Sequence, residues 1–398
     1  MSVEPVTSPF TAVTGTSRHA ALRALAAIAP VQRVRLFTGL SAWLVTGYAE
    51  ARAVLTHPDV AKHLTPSYDA LPADVAAAMS RHLLGTNPPD HTRLRRLVAA
   101  AFTTRRTDAL APRIQAITDG LLDELAARGP GPVDLVATFA HPLAITVIAE
   151  ILGIPEHGRS DFGHRCGVLM TAAAQPRDTF VDAATAIVAQ IRELIAAKRA
   201  HPGDDVLSTM IAARDGTDRL TEDELTSMAF LLLSAGHETT VALLAGGVHA
   251  LLSHPDQLAL LRAEPRRLPA AVDELLRYDG PALAAMPSVA TAPITIGGET
   301  IAPGDLIVVS LVAANRDPGR FSEPDRLDIT REQAPHLGFG HGIHHCIGAP
   351  LARLEARIGI GSLLARYPRL RLAAPHTEPE RNPALILNTL VALDVLVH

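Results

Sequence analysis

The chain has 398 residues and a formal charge of −5; it is 48% hydrophobic but only 4% aromatic. That length allows two domains or one large one, and the apolar share is enough for a sizeable core of Ala, Leu and Val. The slight acidic excess argues against a nucleic-acid binder, because neutralising phosphates needs a basic face.

In chain order, MSVEPVTSPFTAV lacks a basic and an apolar leader region, so no secretory signal is expected. Residues 34–37 and 43–46 read as a strand hairpin, and 48–56 as a helix closed by His57-Pro58. Helical patterns follow near 90–101, 108–128, 138–152, 179–200 and 204–214. Thr221-Glu-Asp-Glu224 is a capping-box pattern that opens a helix over 221–252. At about 1.5 Å per residue it crosses a whole domain, and it is apolar on most sides, as a buried central helix is. His237, Glu238, Thr239 and Thr240 interrupt it, which a membrane span tolerates poorly. Helices at 255–263, 268–278 and 349–366 follow. Strand signals lie at 294–301, with Gly297-Gly298 at the turn, and at 306–312 and 385–397. The expectation is one mainly α unit over 1–398, with small β-sheets to one side. Cys166 and Cys346 form no disulfide framework, and a cytoplasmic protein is expected.

The stretch LGFGHGIHHCIGAPLARLE (337–355) carries the sharpest chemistry. A zinc site would use His341, His344, His345 and Cys346, but their spacing lacks the C-x2-4-C or H-x3-5-H pairs of structural sites. An iron–sulfur cluster generally needs four cysteines, and covalent haem attachment needs C-x-x-C-H. A lone metal-binding thiolate suits haem iron with one cysteine axial ligand. Gly340 and Gly342 permit a tight loop against a flat ligand, and Pro350 can open the following helix. Backbone N–H groups and the positive helix end there are expected to stabilise a thiolate.

Three further constellations are weaker by themselves. Glu274 and Arg277 lie three apart on a helix, a spacing that most often gives a surface ion pair of little energetic weight. Glu238, in the buried helix, is either a satisfied carboxylate in a packing patch or part of a proton path with Thr239. In the second case Gly236 leaves room for a small ligand, and local opening of the helix frees a carbonyl for water. In Asn87-Pro-Pro-Asp-His91-Thr-Arg-Leu-Arg95-Arg96, Asp90 can cap a helix on which His91 and Arg95 share a face; the bland reading is a solvated basic turn.

The loop resembles that of the cytochrome P450 family, F-G-x-G-x-H-x-C-x-G. Phe339, Gly340, Gly342, His344, Cys346 and Gly348 match its six fixed positions. The resemblance extends over nearly the whole chain and is closest to soluble actinobacterial members. It implies a mainly α fold with a long central helix over a haem b, and Cys346 as the iron ligand. Ala235-Gly236-His237-Glu238-Thr239 is similar to the family's A-G-x-E/D-T. This implies catalytic proton delivery by Thr239 and Glu238, with Ala235 and Gly236 against the haem. His91, Arg95 and His344 are implied to hold the haem carboxylates, for which bidentate Arg contacts are suited. Glu274 and Arg277 are implied to join a structural network completed by Pro324-Asp-Arg326-Leu327. One departure stands out: Ser288 occupies the position where the family usually carries an Arg, leaving a carboxylate a weaker partner or water.

The activity so implied is insertion of one oxygen atom from O2 into a lipophilic substrate. The chain carries no flavin or iron–sulfur signature, so a ferredoxin and its reductase are the expected electron donors. Arg93, Arg96, Arg105 and Arg106 form either their docking surface or a solvated face. Substrate-facing segments are expected at 62–85, 165–182, 226–234, 281–289 and 382–390. A monomer is expected, with no membrane or nucleic-acid partner. The rivals are a peroxide-driven or non-oxygenating haem-thiolate enzyme and, from another class, a haem sensor or zinc protein. His237 and His345 receive no role, and Cys166 reads as an inert thiol.

Overall fold

The computed structural model describes residues 9–62, 68, 71–99, 102–170, 176–214, 220–332 and 335–398. Helices α1 (Gly15–Ile28), α2 (Tyr48–Thr56), α3 (Ala73–Ser80), α4 (Asp90–Ala99), α5 (Thr104–Ala109) and α6 (Ala111–Ala126) fill the first third. Then come α7 (His141–Ile151), α8 (Glu156–Met170), α9 (Arg177–Ala200), α10 (Val206–Arg214), α11 (Glu222–Leu252), α12 (Pro255–Ala263) and α13 (Leu268–Asp279). The short α14 (Leu311–Ala314) and the long α15 (Ala349–Arg366) complete the set.

The largest sheet has the order β1 (Val31–Arg35), β2 (Ser41–Val45), β8 (Leu306–Val309), β5 (Ser288–Ala290), β3 (Val60–Lys62). Its β2–β8 pair is parallel and its other pairs are antiparallel. A second sheet joins β4 (Val133–Asp134), β10 (Asp394–Leu396) and β9 (Arg371–Leu372). The hairpin of β6 (Ile294–Ile296) and β7 (Glu299–Ile301) turns on Gly297 and Gly298, both at positive φ, as expected.

The predicted helix at 108–128 is two helices that part at Leu110. Pro112 lacks an N–H and sits in the first turn of α6, so the α5 ladder ends there. The strand signal at 306–312 stops at Val309, because Ser310 turns to accept the Ala313 N–H and cap α14. The one over 385–397 shrinks to β10; its earlier part is held by the single bridges Ala282 to Leu387 and Arg381 to Leu390. Helices α1, α3 and α8 were not expected; α8 carries three glycines and little apolar periodicity.

The central helix begins with the anticipated capping box. Thr221 Oγ1 accepts from Glu224 N at 3.2 Å, and Glu224 Oε2 accepts from Thr221 N at 2.8 Å. Its first half, Leu225 to Leu233, lies in one hydrophobic cluster with α3, α8 and α9; its second half, from Val241, lies in another with α13 and α15. Among the described residues, α11 alone is long and apolar enough to cross a membrane, but 78% of its most apolar window is buried inside the protein. It is a core helix. Between Leu225 and Val248 every residue is buried except Ala235, Gly236, Glu238 and Thr239. The break in burial falls where the two clusters meet.

Buried acids elsewhere shape stability. Glu355 on α15 is 2% exposed, its Oε2 has no partner, and burial holds its carboxyl well above the ordinary value of 4.5. The folded chain therefore keeps a proton that the unfolded chain releases above that value. Stability contributed by this group falls as pH rises from the unfolded pKa to the raised folded one, by up to about 1.4 kcal/mol per pH unit. Glu355→Gln should flatten this slope. Urea unfolding at pH 5 and pH 8 should show a smaller gap in the variant, and an unchanged gap would refute it.

Candidate active site

The cysteine loop runs from Leu337 to Gly348 and feeds α15. Gly340 and Gly342 both adopt left-handed φ, near +73° and +72°, which only glycine takes without strain. For Gly342 the close neighbour is protein: a Cβ there would lie 2.7 Å from the Leu55 carbonyl oxygen of α2. The loop closes on itself where Cys346 N donates to the Phe339 carbonyl at 2.9 Å. Pro350 stands in the first turn of α15, as expected. Cys346 lies deep in the molecule, yet its side chain is accessible, so the loop fronts a recess rather than the outer surface.

The expected N–H groups do face the sulfur, and burial opposes them. Burial pushes the Cys346 thiol up; the Gly348 and Ala349 N–H groups, Arg95 and Arg353 all act in the opposite direction and do not overcome it. The helix end helps as foreseen but loses to desolvation in the protein by itself. A bound metal ion reverses this balance, since a coordinating thiol is deprotonated outright.

The loop is held by α13. Arg277 grips Glu274 through Nε at 2.7 Å and Nη2 at 2.8 Å, a bidentate and nearly fully buried pair. Its remaining N–H groups reach the carbonyls of Asn315, Pro324 and Arg326. Asn315 Oδ1 then accepts from Leu337 N at 2.6 Å, which ties the network to the start of the loop. Asp273, the residue before Glu274, pairs with both His336 and Arg353, and Arg353 lies over the Phe339 ring. The network is the structural one expected, with one change of member. Arg326 gives only its carbonyl, and its guanidinium pairs with exposed Glu323. The second guanidinium on Glu274 belongs to Arg331, at 3.3 Å. Leu327 is a core residue.

In α11 the helix is continuous through 235–240, so the expected local opening is absent. Instead Thr239 Oγ1 donates to the Ala235 carbonyl at 2.6 Å and Thr240 Oγ1 to that of Gly236 at 2.9 Å. Gly236 has a packing reason: a Cβ would sit 2.8 Å from Ile148 Cδ1 of α7. Ala235 and Ile347, the neighbour of Cys346, pack against the same cluster, so the accessible patch of α11 and the cysteine loop border it together. Glu238 is 15% exposed and meets His237 Nδ1 at 3.5 Å, too far for a hydrogen bond. Burial raises its carboxyl. His237 is fully buried against His141 and pushed down to about 3 by burial, then by His141, so it stays neutral. Cys166 is buried and pushed up to about 12 by burial foremost, an inert thiol as expected.

A basic cluster gathers near the loop. His91, on the face of α4 it shares with Arg95, packs its ring 4.4 Å from that of His344. Both ring nitrogens of His91 and Nδ1 of His344 are buried without a partner. His344 is pushed down to about 3 by burial, then by repulsion from Lys62, His91 and Arg95. Among the described residues neither Arg95 nor Lys62 has a carboxylate partner. Orphaned ring nitrogens beside unpaired cations are costly unless a ligand with acceptor oxygens completes them. A haem fits this donor set: one thiolate for the iron, and cations with spare donors for two carboxylates. Zinc does not, because among the described residues no three His, Cys, Asp or Glu side chains converge. Two surface hollows, of about 470 and 560 Å³ beside Arg113 and Glu150, include no residue of the loop.

Sequence reading brought together Cys346, His91, Arg95 and His344, and separately Glu238 and Thr239. It missed Lys62, Asn315, Asp273, His336, Arg331 and Arg353, whose partners lie far off in sequence. Arg93, expected on a docking face, pairs with Glu224, whereas Arg105 and Arg106 are exposed. The expected substrate-facing segments 62–85 and 165–182 fall partly on 63–67, 69–70 and 171–175, outside the described residues.

Residues 168–391 match the family model described as Cytochrome P450. Cytochrome P450 107B1 of Saccharopolyspora erythraea is 48% identical over 354 residues, covering 87% of this chain and 86% of its own. The 6-deoxyerythronolide B hydroxylase of the same organism is 42% identical and covers 89% of each. Among solved structures, PksS, the cytochrome P450 of the bacillaene polyketide synthase of Bacillus subtilis 168, superposes with a TM-score of 0.90 at 35% identity over 99% of both chains. With a cysteine loop, a helical fold and a donor set that agree with these matches, the chain belongs to the cytochrome P450 family.

Proposed function

We propose that in this haem-thiolate monooxygenase Cys346 holds the iron of haem b, while Thr239 and Glu238 deliver protons beside it. The observation that carries this reading is the accessible surface of Cys346 deep in the fold, together with the break in burial at Ala235–Thr239 between the two buried stretches of α11. When bound, haem b supplies the iron chemistry that activates O2 and inserts one oxygen atom into a lipophilic organic substrate. The chain supplies the rest. Phe339, Gly340, Ala235 and Gly236 border the cofactor, and His91, Arg95 and His344 take its carboxylates. The Glu274–Arg277 network keeps the loop in place, so the sulfur is presented without rearrangement. The raised Glu238 carboxyl holds a proton more readily than an ordinary glutamate, and its accessible face allows exchange with solvent. The Thr239 hydroxyl, aimed at the Ala235 carbonyl, is a second proton carrier one residue away.

Electrons come from an external redox partner, for which a ferredoxin and its reductase are the candidates; exposed Arg105 and Arg106 are suited to an acidic carrier. Residues 1–398 act as one unit, as a monomer in the cytoplasm. Segments 281–289 and 382–390 meet through Leu283 N to Ile386 O and Asn388 N to Pro281 O, which brings two expected substrate-facing stretches together. A polyketide is the first substrate class to test, since PksS is the cytochrome P450 of a polyketide synthase.

The experiment is Thr239→Ala. The variant should keep its haem spectrum and consume reduced cofactor, but lose about 10²- to 10⁴-fold in product formation, with the electrons appearing as peroxide or water. Unchanged coupling of electrons to product would remove Thr239 and Glu238 from the proton path. If peroxide drives full turnover without a reductase, the peroxide-dependent alternative takes over.

A further inference from the structure

Ser288 stands where the resemblance led one to expect an arginine, and the structure puts another cation in its place. In the antiparallel β3–β5 pair, Lys62 is the direct cross-strand partner of Ser288. Lys62 Nζ lies over Ser288, donating to its Oγ at 3.2 Å and to the Met286 carbonyl at 3.0 Å. An ammonium has three N–H donors, so one remains for a ligand.

The backbone of Lys62 is fastened to the His91 segment. Its N–H donates to Asn87 Oδ1 at 2.8 Å, and the Asn87 carbonyl accepts from His91 N at 3.0 Å. Asn87, which opens the basic motif of α4, is therefore a bracket between β3 and α4. The bracket holds Lys62 beside the segment that carries His91 and Arg95, and His91 in turn packs against His344. Lys62, His91, Arg95 and His344 come from three different segments, and among the described residues no acid pairs with Lys62 or Arg95. Ser288 is buried and Lys62 half-buried, and burial lowers the ammonium to about 8. An unpaired ammonium in such surroundings is stabilised by an anion.

We propose that Lys62 is a haem-carboxylate ligand of this chain, occupying through its long side chain on β3 the position that an arginine at 288 on β5 would hold. The proposal rests on the haem site read above. It replaces the expectation that Ser288 leaves one carboxylate a weaker partner or water: the cation has moved one strand across, to the residue paired with it.

The test is Lys62→Met, followed as the rate of haem transfer from the holoprotein to excess apomyoglobin. The variant should lose haem roughly 10- to 100-fold faster than the parent, the range of one charge-assisted hydrogen bond. Lys62→Met/Ser288→Arg should recover most of the retention, since it restores a cation from the opposite strand. Loading both proteins with haem dimethyl ester separates binding from structure. With the carboxylates neutralised, parent and Lys62→Met should release the ester at the same rate. Equal haem-loss rates in parent and variant would overturn the proposal, as would an ester-loaded variant that still loses its ligand faster, because Lys62 would then act only as a strand brace. Failure of the site reading itself looks different: Cys346→Ser would leave the haem spectrum unchanged whatever Lys62 does.

Discussion

Arg277→Met is expected to destabilise the folded protein by about 3–5 kcal/mol, the range for breaking a buried ion pair at one partner. Arg277 is 2% exposed and serves five acceptors: both oxygens of Glu274 and, through its other N–H groups, the carbonyls of Asn315, Pro324 and Arg326. Methionine fills part of the volume but donates nothing. Glu274 would keep only Arg331 and the Asp328 N–H, and three carbonyls would lose a donor. Because Asn315 is also the anchor of Leu337, the damage should reach the cysteine loop, and haem retention should fall together with stability. Urea unfolding reads the first effect. A loss below about 1 kcal/mol would show that the pair behaves as a surface ion pair does. The double variant Glu274→Leu/Arg277→Met should recover part of the loss, since a buried pair is often replaceable by apolar groups although one member cannot be removed alone.

Cys346→Ser should do the opposite, ending oxygen insertion while sparing the fold. The bonds that shape the loop at this residue are main-chain bonds, from Cys346 N to Phe339 O and from Ala349 N to Cys346 O, and serine keeps both. A neutral hydroxyl is a far poorer donor to iron than a thiolate, and it does not push electron density toward O2 as the sulfur does. Turnover should fall by more than about 100-fold, beyond the usual effect of altering a neighbour of a metal ligand. The unfolding midpoint of the haem-free protein should stay close to that of the parent. Substantial activity in the serine variant would mean that the thiolate is not the ligand. Collapse of the haem-free fold would mean that Cys346 is structural.

The contrast between these two variants bears on what could be read from the sequence. Cysteine, His344 and the glycines of the loop are written within a dozen residues, and His91 with Arg95, or Glu238 with Thr239, share a helix face or adjoin. Their chemistry is local, so spacing reveals it. The capping box at Thr221 and the bounds of α2 and α15 were legible for the same reason. The partners that complete each constellation are remote. Lys62 meets Ser288 across 226 positions, and Arg18 meets Asn388 across 370 in a buried group with Asp279 and Arg381. Sheet register and loop path decide such meetings, and one sequence carries no signature of either. Arg331 was passed over in favour of Arg326 because a motif shows which segment comes near, not which of its arginines turns inward. Gly236 likewise has a neighbour that spacing does not reveal: Ile148, on another helix, lies close to where its Cβ would be.

Everything proposed for this site depends on Cys346 presenting a thiolate to haem iron. The direct measurement is the absorption spectrum of the purified holoprotein after reduction and addition of carbon monoxide. The parent should show the strongly red-shifted Soret band of thiolate-ligated haem, and Cys346→Ser should lose it. A colourless protein after haem loading, or a parent spectrum of histidine-ligated haem that the serine substitution leaves unchanged, would contradict it.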